Sequence, residues 1–230
     1  MIYGPLILIS IVFAGIGWLM SSKLKSVFAK YARVGTASGM SGAEVAQKML
    51  RDHGLTDVRI LASQGRLSDH YNPSDKTVNL SPEVYGGRSV SAAAVAAHEC
   101  GHAVQHATAY SMLTLRSKLV PVVSFSAKVQ QYLFMLGFVM IGSLGSDLFL
   151  MIAIGAFAVT ALFSVVTLPV EFDASRRALA WLETSGSTVG IEHDGAQTTL
   201  KWAAMTYVVA ALAAIAQLLY LVFYFLGSRD

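Results

Sequence analysis

Three stretches of this chain, residues 2–20, 148–170 and 202–226, contain no charged residue, and a fourth, 119–141, contains only Lys128. A helix of about 20 residues crosses the roughly 30 Å hydrocarbon core of a bilayer, so each stretch is long enough to span. A hydrophobic fraction of 54% against 13% charged residues agrees, as does a mean hydropathy of +0.55, well outside the range of soluble domains. The expected class is a mostly α membrane protein with four transmembrane helices. Tyr3 and Trp18 fit interfacial anchors of the first span. That span is expected to stay uncleaved, because Lys and Arg follow it instead of preceding it.

The charges fix an orientation. A net charge of +3 and a pI near 9.0 would suit nucleic acid, but the basic residues gather at span ends. Lys23, Lys25, Lys30, Arg33, Arg116, Lys118, Arg176, Arg177 and Lys201 fall on one side, with Arg229 on the other. By the positive-inside rule the first group faces the cytoplasm, so the chain is placed in the cell membrane, plasma or inner, as a multi-pass protein with no nucleic-acid partner. A single cysteine, Cys100, removes an intrachain disulfide from consideration. The resulting division is 1–22 as transmembrane helix 1, 23–118 as a small cytoplasmic α+β domain, 119–170 as a transmembrane hairpin of helices 2 and 3, 171–201 as a second cytoplasmic segment and 202–227 as transmembrane helix 4. Within the hairpin, Lys128, Gln130 and Gln131 place the first half of 119–141 at the interface with Lys128 snorkelling, and 142–147 reads as a turn.

The 23–118 segment carries mixed signals. Ser41-Gly42-Ala43-Glu44 is a capping-box signature before an apolar stripe of Val45, Met49 and Leu50, with Gly54 as the stop. Residues 58–62 and 76–80 read as short strands, with Asn72-Pro73-Ser74-Asp75 turning the chain between residues 67–71 and the later strand. The 76–80 strand is expected to offer an edge to which an extended peptide can add.

An Ala-rich helix follows, capped by Ser89 or Ser91, and bears His98-Glu99-Cys100-Gly101-His102. Histidines at i and i+4 share a helix face, so both imidazoles can reach one ion. Two imidazoles hold Zn²⁺ while leaving room for a third ligand and a water, and a carboxylate beside them can take that water's proton. Glu99 is the candidate general base, and the bland alternative is a polar helix face without metal. Gln105 and Thr108 stand where a metzincin would need Gly and His, so the third ligand comes from elsewhere. Glu171 is chosen: it follows two crossings after His98, an even number, and so returns to the same membrane face. Asp173 would point to another face and pair with Arg176 or Arg177. His106 continues the row from His102 and reads as a histidine of the helix face or a support to the site, not a ligand; Cys100 reads as core packing and Asp194-Gly195 as a turn in a polar loop. Candidates to stabilise an oxyanion are His70, Tyr71, Tyr85, Arg176 and His193.

On Ser68-Asp69-His70-Tyr71-Asn72-Pro73, Val78-Asn79-Leu80-Ser81, the block Ala96 to Gln105 around the two histidines, and Leu168 to Arg177, the chain resembles the YugP-type family of membrane zinc metallopeptidases. The resemblance is collinear over nearly the whole length. It implies a membrane-embedded gluzincin with a zincin-like metalloprotease domain, akin in motif to HtpX-type and prenyl-protein endopeptidases. It further implies one Zn²⁺ per chain on His98, His102 and Glu171, and Glu99 as base. Those related groups commonly carry Asp four residues after the ligand Glu, where this chain has Ser175.

The function expected is a zinc-dependent endopeptidase acting at the cytoplasmic face on membrane-proximal or unfolded protein substrates. Its partners are peptide or membrane-protein substrates and the lipid bilayer, with a regulatory membrane partner or a homo-oligomer left open. Two rivals are an intramembrane site-2-type protease, against which the preceding polar domain argues, and a non-catalytic zinc-binding membrane scaffold, which would have no use for Glu99.

Overall fold

Helix dominates the computed structural model, which describes residues 3–139 and 147–227. The expected turn at 142–147, Ile2, Ile141 and Arg229 lie outside those residues, apart from Asp147 at a helix start. In chain order come α1 (Tyr3–Tyr31), α2 (Gly42–Asp52), β1 (Arg59–Ala62), β2 (His70–Asn72), β3 (Thr77–Leu80), α3 (Pro82–Tyr85), α4 (Val90–Ala107), α5 (Ser111–Val139), α6 (Asp147–Thr184) and α7 (Ile191–Gly227).

Three helices, over Gly4–Tyr31, Leu148–Thr184 and Ile191–Gly227, are long and apolar enough to cross a membrane. Each runs on past its apolar stretch into polar sequence. Asp194 and Gly195 therefore sit in the opening turns of α7, not in a loop: Glu192 and Asp194 supply the first-turn acids that favour a helix N-terminus. The apolar part of α5 is preceded by Arg116 and Lys118 and runs into residues not described.

The chain separates into two compact units. One comprises residues 1–19, 115–168 and 206–230. Polar side chains tie its helices together: Gln130 Nε2 donates to the Ala156 carbonyl at 2.9 Å and to Thr160 Oγ1 at 2.7 Å, joining α5 to α6. Gln217 Nε2 donates to Ser10 Oγ at 3.1 Å, joining α7 to α1. Away from water such amide donors need protein acceptors.

The other unit, residues 20–114 and 169–205, holds the sheet and the α4 helix. The capping box at Ser41 and Glu44 closes as expected, and Gly54 adopts φ +71° to end α2. The sheet has order β1-β3-β2, with β3 parallel to β1 and antiparallel to β2. The 76–80 strand is thus central, and the expected free edge there is absent. Val78 and Leu80 are fully buried, and a strand buried between two neighbours takes the most apolar side chains. Edges belong to β1 and β2. Ser74 N–H donates to Asn72 Oδ1 at 3.0 Å in the β2–β3 turn, the Asx geometry that the Asn-Pro-Ser-Asp sequence favours.

Candidate active site

Helix α4 begins where Ser89 Oγ accepts from Ala92 N–H. Its alanines are almost all buried, and their small side chains let α2, α3 and the sheet approach its axis closely on several sides. Cys100 lies among them, 0% exposed, as core packing. Burial pushes its thiol well above the ordinary range, so it is unreactive.

Glycine at 101 has a separate role. A Cβ there would lie 2.6 Å from the Ala174 carbonyl oxygen of α6. Only glycine allows that approach, and Glu171 stands one helical turn before Ala174. The residue between Cys100 and His102 therefore admits the backbone that carries the third donor, Glu171.

The His98 and His102 rings stand 4.8 Å apart at 83°. Their Nε2 atoms lie 3.3 Å and 3.7 Å from Glu171 Oε2, and the ligand atoms of the three residues all fall within 4.8 Å of one another. In a tetrahedral zinc site with bonds of 2.0–2.1 Å, neighbouring ligand atoms stand about 3.4 Å apart, so this donor set fits the ion. All three side chains are nearly buried.

The opposite nitrogens are held elsewhere. Gln105, fully buried, donates from Nε2 to the Val170 carbonyl at 2.8 Å and to Asp173 Oδ2 at 2.9 Å. With both donors spent on acceptors, its Oε1 is the atom that meets His102 Nδ1 at 3.0 Å. That oxygen can only accept, so Nδ1 carries the proton and Nε2 presents its lone pair to the site. Ser175 Oγ lies 3.1 Å from His98 Nδ1, within hydrogen-bond reach of that ring.

Asp173 is buried and pairs with both Arg176 and Arg177, the latter at 2.6 Å. It also reaches the site indirectly, through Gln105. Glu99 is buried one residue after His98, close enough for its charge to act on His102. Burial disfavours the charged His102 ring, but its hydrogen bond to Glu171 and the charges of Glu99 and Glu171 outweigh this, so it titrates above its ordinary value.

The other predicted residues have partners outside this trio. His106 Nδ1 is 2.8 Å from Tyr71 Oη, linking α4 to β2; burial raises the Tyr71 phenol pKa. His70 Nδ1 meets the Ser68 carbonyl at 2.8 Å, Tyr85 ends α3, Arg176 is engaged by Asp173, and His193 Nδ1 lies 3.4 Å from Thr188 Oγ1 on α7. Sequence reasoning passed over Gln105 and Gly101. Their signals were an amide three residues after a ligand-type histidine and a glycine inside a helix that otherwise favours alanine.

Comparison with known proteins agrees with this donor chemistry. The profile of a family described as "Putative neutral zinc metallopeptidase" matches residues 6–226. A protein of Bacillus subtilis (strain 168) named "Putative membrane protease YugP" is 42% identical over 226 residues, covering 97% of this chain and 98% of that protein. No solved structure matches. With nearly its whole length inside the family profile, and with two histidines and a glutamate converging as a zinc peptidase requires, the chain belongs to this neutral zinc metallopeptidase family.

Proposed function

We propose that the protein is an integral membrane zinc endopeptidase with one Zn²⁺ held by His98, His102 and Glu171 and with Glu99 as general base. The observation that carries this is the convergence of two histidine Nε2 atoms and a glutamate oxygen while both Nδ1 atoms are occupied on other partners. When bound, the ion supplies Lewis acidity and lowers the pKa of a water toward roughly 7. Glu99 accepts a proton from the attacking water and passes it to the leaving amine. Gln105 holds the His102 ring in the orientation and tautomer that this requires, and Ser175 orients the His98 ring.

Four spans are proposed, with α5 as the second. The division is the one drawn from sequence: 1–22, the domain 23–118, the hairpin 119–170, the segment 171–201, and 202–227. The basic residues at span ends support a cytoplasmic active site in the cell membrane. Substrates are protein segments at the membrane or unfolded chains; the name of the Bacillus subtilis relative supports protein substrates and a membrane setting, no more.

The test compares detergent-purified parent and Glu99→Gln, measuring cleavage of an unfolded protein and bound zinc in the same samples. The expected result is about one zinc on each and cleavage lower by about 10²–10⁴-fold in the variant. Zinc on both proteins with no cleavage of a broad substrate panel by either would favour the scaffold.

A further inference from the structure

Away from the site, a cavity of about 810 Å³ opens beside α1, within the size range of small-ligand sites. The last turns of α1 line it with Lys25, Phe28 and Ala29, and Ala32 and Arg33 continue the lining just past the helix end. Across from them stand Arg66 and Arg88, and the one carboxylate in the lining is Glu83. Arg66 pairs with Glu83 at 2.8 Å and Arg88 with Glu44 at 3.1 Å, both as exposed, exchangeable pairs. Among the described residues no carboxylate pairs with Lys25 or Arg33. Phe28 is buried. Leu67, also in the lining, is 48% exposed and held at φ +54°, a backbone conformation costly for leucine.

A cavity with an excess of cations, two of them uncommitted, and with apolar side chains beside them suits a phosphate that carries an apolar tail. Its position along the chain agrees. Lys25 follows the apolar stretch of α1 by five residues, about 8 Å along the helix, and basic pockets at that depth meet the headgroups of anionic lipids. We propose that this cavity binds the phosphate headgroup of an anionic phospholipid, with Lys25 and Arg33 as its principal contacts and Leu67 against the glycerol and acyl portion. The proposal rests on α1 crossing the membrane and is independent of the peptidase chemistry.

The full-length protein is assembled into phosphatidylcholine discs with and without phosphatidylglycerol, and lipid retained by the protein is counted by native mass spectrometry. Assembly into discs reports the span separately from headgroup preference. Lys25→Gln with Arg33→Gln is expected to lower phosphatidylglycerol affinity by about thirtyfold, for two cations near an anionic surface. The control, Lys23→Gln with Lys30→Gln, removes two cations of the same helix that face Trp202 and Tyr31 outside the cavity. With its cations outside the cavity, it is expected to lose clearly less than the cavity pair. Equal losses in the two pairs would overturn the proposal, since they would mean a diffuse basic surface. A melting-temperature rise with inorganic phosphate, abolished by the cavity pair and absent with phosphatidylglycerol, would overturn the lipid assignment in favour of a soluble phosphate. Unchanged melting in phosphatidylcholine discs and unchanged bound zinc are required of both variants.

Discussion

Replacing Gln105 by methionine removes an amide while keeping an unbranched side chain of similar size. His102 Nδ1–H then loses its acceptor and Asp173 Oδ2 loses one of its donors. Leaving a buried donor unsatisfied costs about 1–3 kcal/mol of stability. The effect on the ion should be of similar size, because groups that orient a metal-binding histidine contribute about 10–100-fold in metal affinity, or about 1.4–2.7 kcal/mol. Gln105→Glu separates the two effects. Its carboxylate still accepts from His102 Nδ1 but loses the donors to Val170 and Asp173 and places a second negative charge against Asp173. It should therefore destabilise the fold yet hold zinc about as tightly as the parent. The assay is chelator competition for zinc at fixed pH, with thermal unfolding of the metal-free proteins alongside. If the methionine variant bound zinc within about twofold of the parent while melting lower, Gln105 would be a packing residue and the tautomer argument would fail. If the glutamate variant lost zinc as severely as methionine, the acceptor at Nδ1 would not be the relevant feature.

Two further outcomes follow from the same geometry. Gly101→Ala places a methyl 2.6 Å from the Ala174 carbonyl, so it should cost about 1–3 kcal/mol by overpacking and weaken zinc by displacing Glu171; a variant matching the parent in melting temperature and chelator competition would refute the close approach. His102 is held protonated above its ordinary value of 6.5 in the metal-free protein, so its stabilising contribution there is complete below about pH 6.5 and lost as pH rises through the raised value. Zinc must displace that proton, so melting curves of metal-free and zinc-loaded protein should converge on acidification, beginning above pH 6.5, and a gap that widened instead would contradict the assignment of His102 as a ligand.

What could be read from sequence was what local periodicity encodes. The three helices long and apolar enough to cross a membrane follow from runs without charge, α2 from its capping box, and the adjacency of His98 and His102 from the helical repeat. Glu171, chosen from the ligand pattern and an expected count of crossings, is the carboxylate whose donor atom lies with those of the two histidines. The order of the sheet was not legible, because β3 pairs in parallel with β1 through residues distant in the chain, and four-residue strands carry no signal for which is central. Nor was the start of α7 at Ile191: Asp194-Gly195 resembles a turn locally, yet the close fit of Gly195 against Tyr31 and Val90 draws it into the helix. Asp173 was assigned correctly to its arginines, but its link to His102 passes through Gln105, whose partners lie 65 and 68 residues away.

These long-range contacts bear on how the site is maintained. α4 and α6 meet through a glycine against a carbonyl at Gly101 and Ala174, a two-donor amide from Gln105 to Val170 and Asp173, and a hydroxyl on a ring nitrogen at Ser175 and His98. None of them requires an ion, and every residue involved belongs to the same compact unit. In a small zinc domain whose ligands come together only on the metal, binding energy and folding energy are the same quantity. Here the ligand atoms are brought within reach by packing and hydrogen bonding between two long helices, one of which continues into an apolar span. The cost of bringing the donor set together then falls on the contacts of α6 with α4, and an ion would meet donors already gathered.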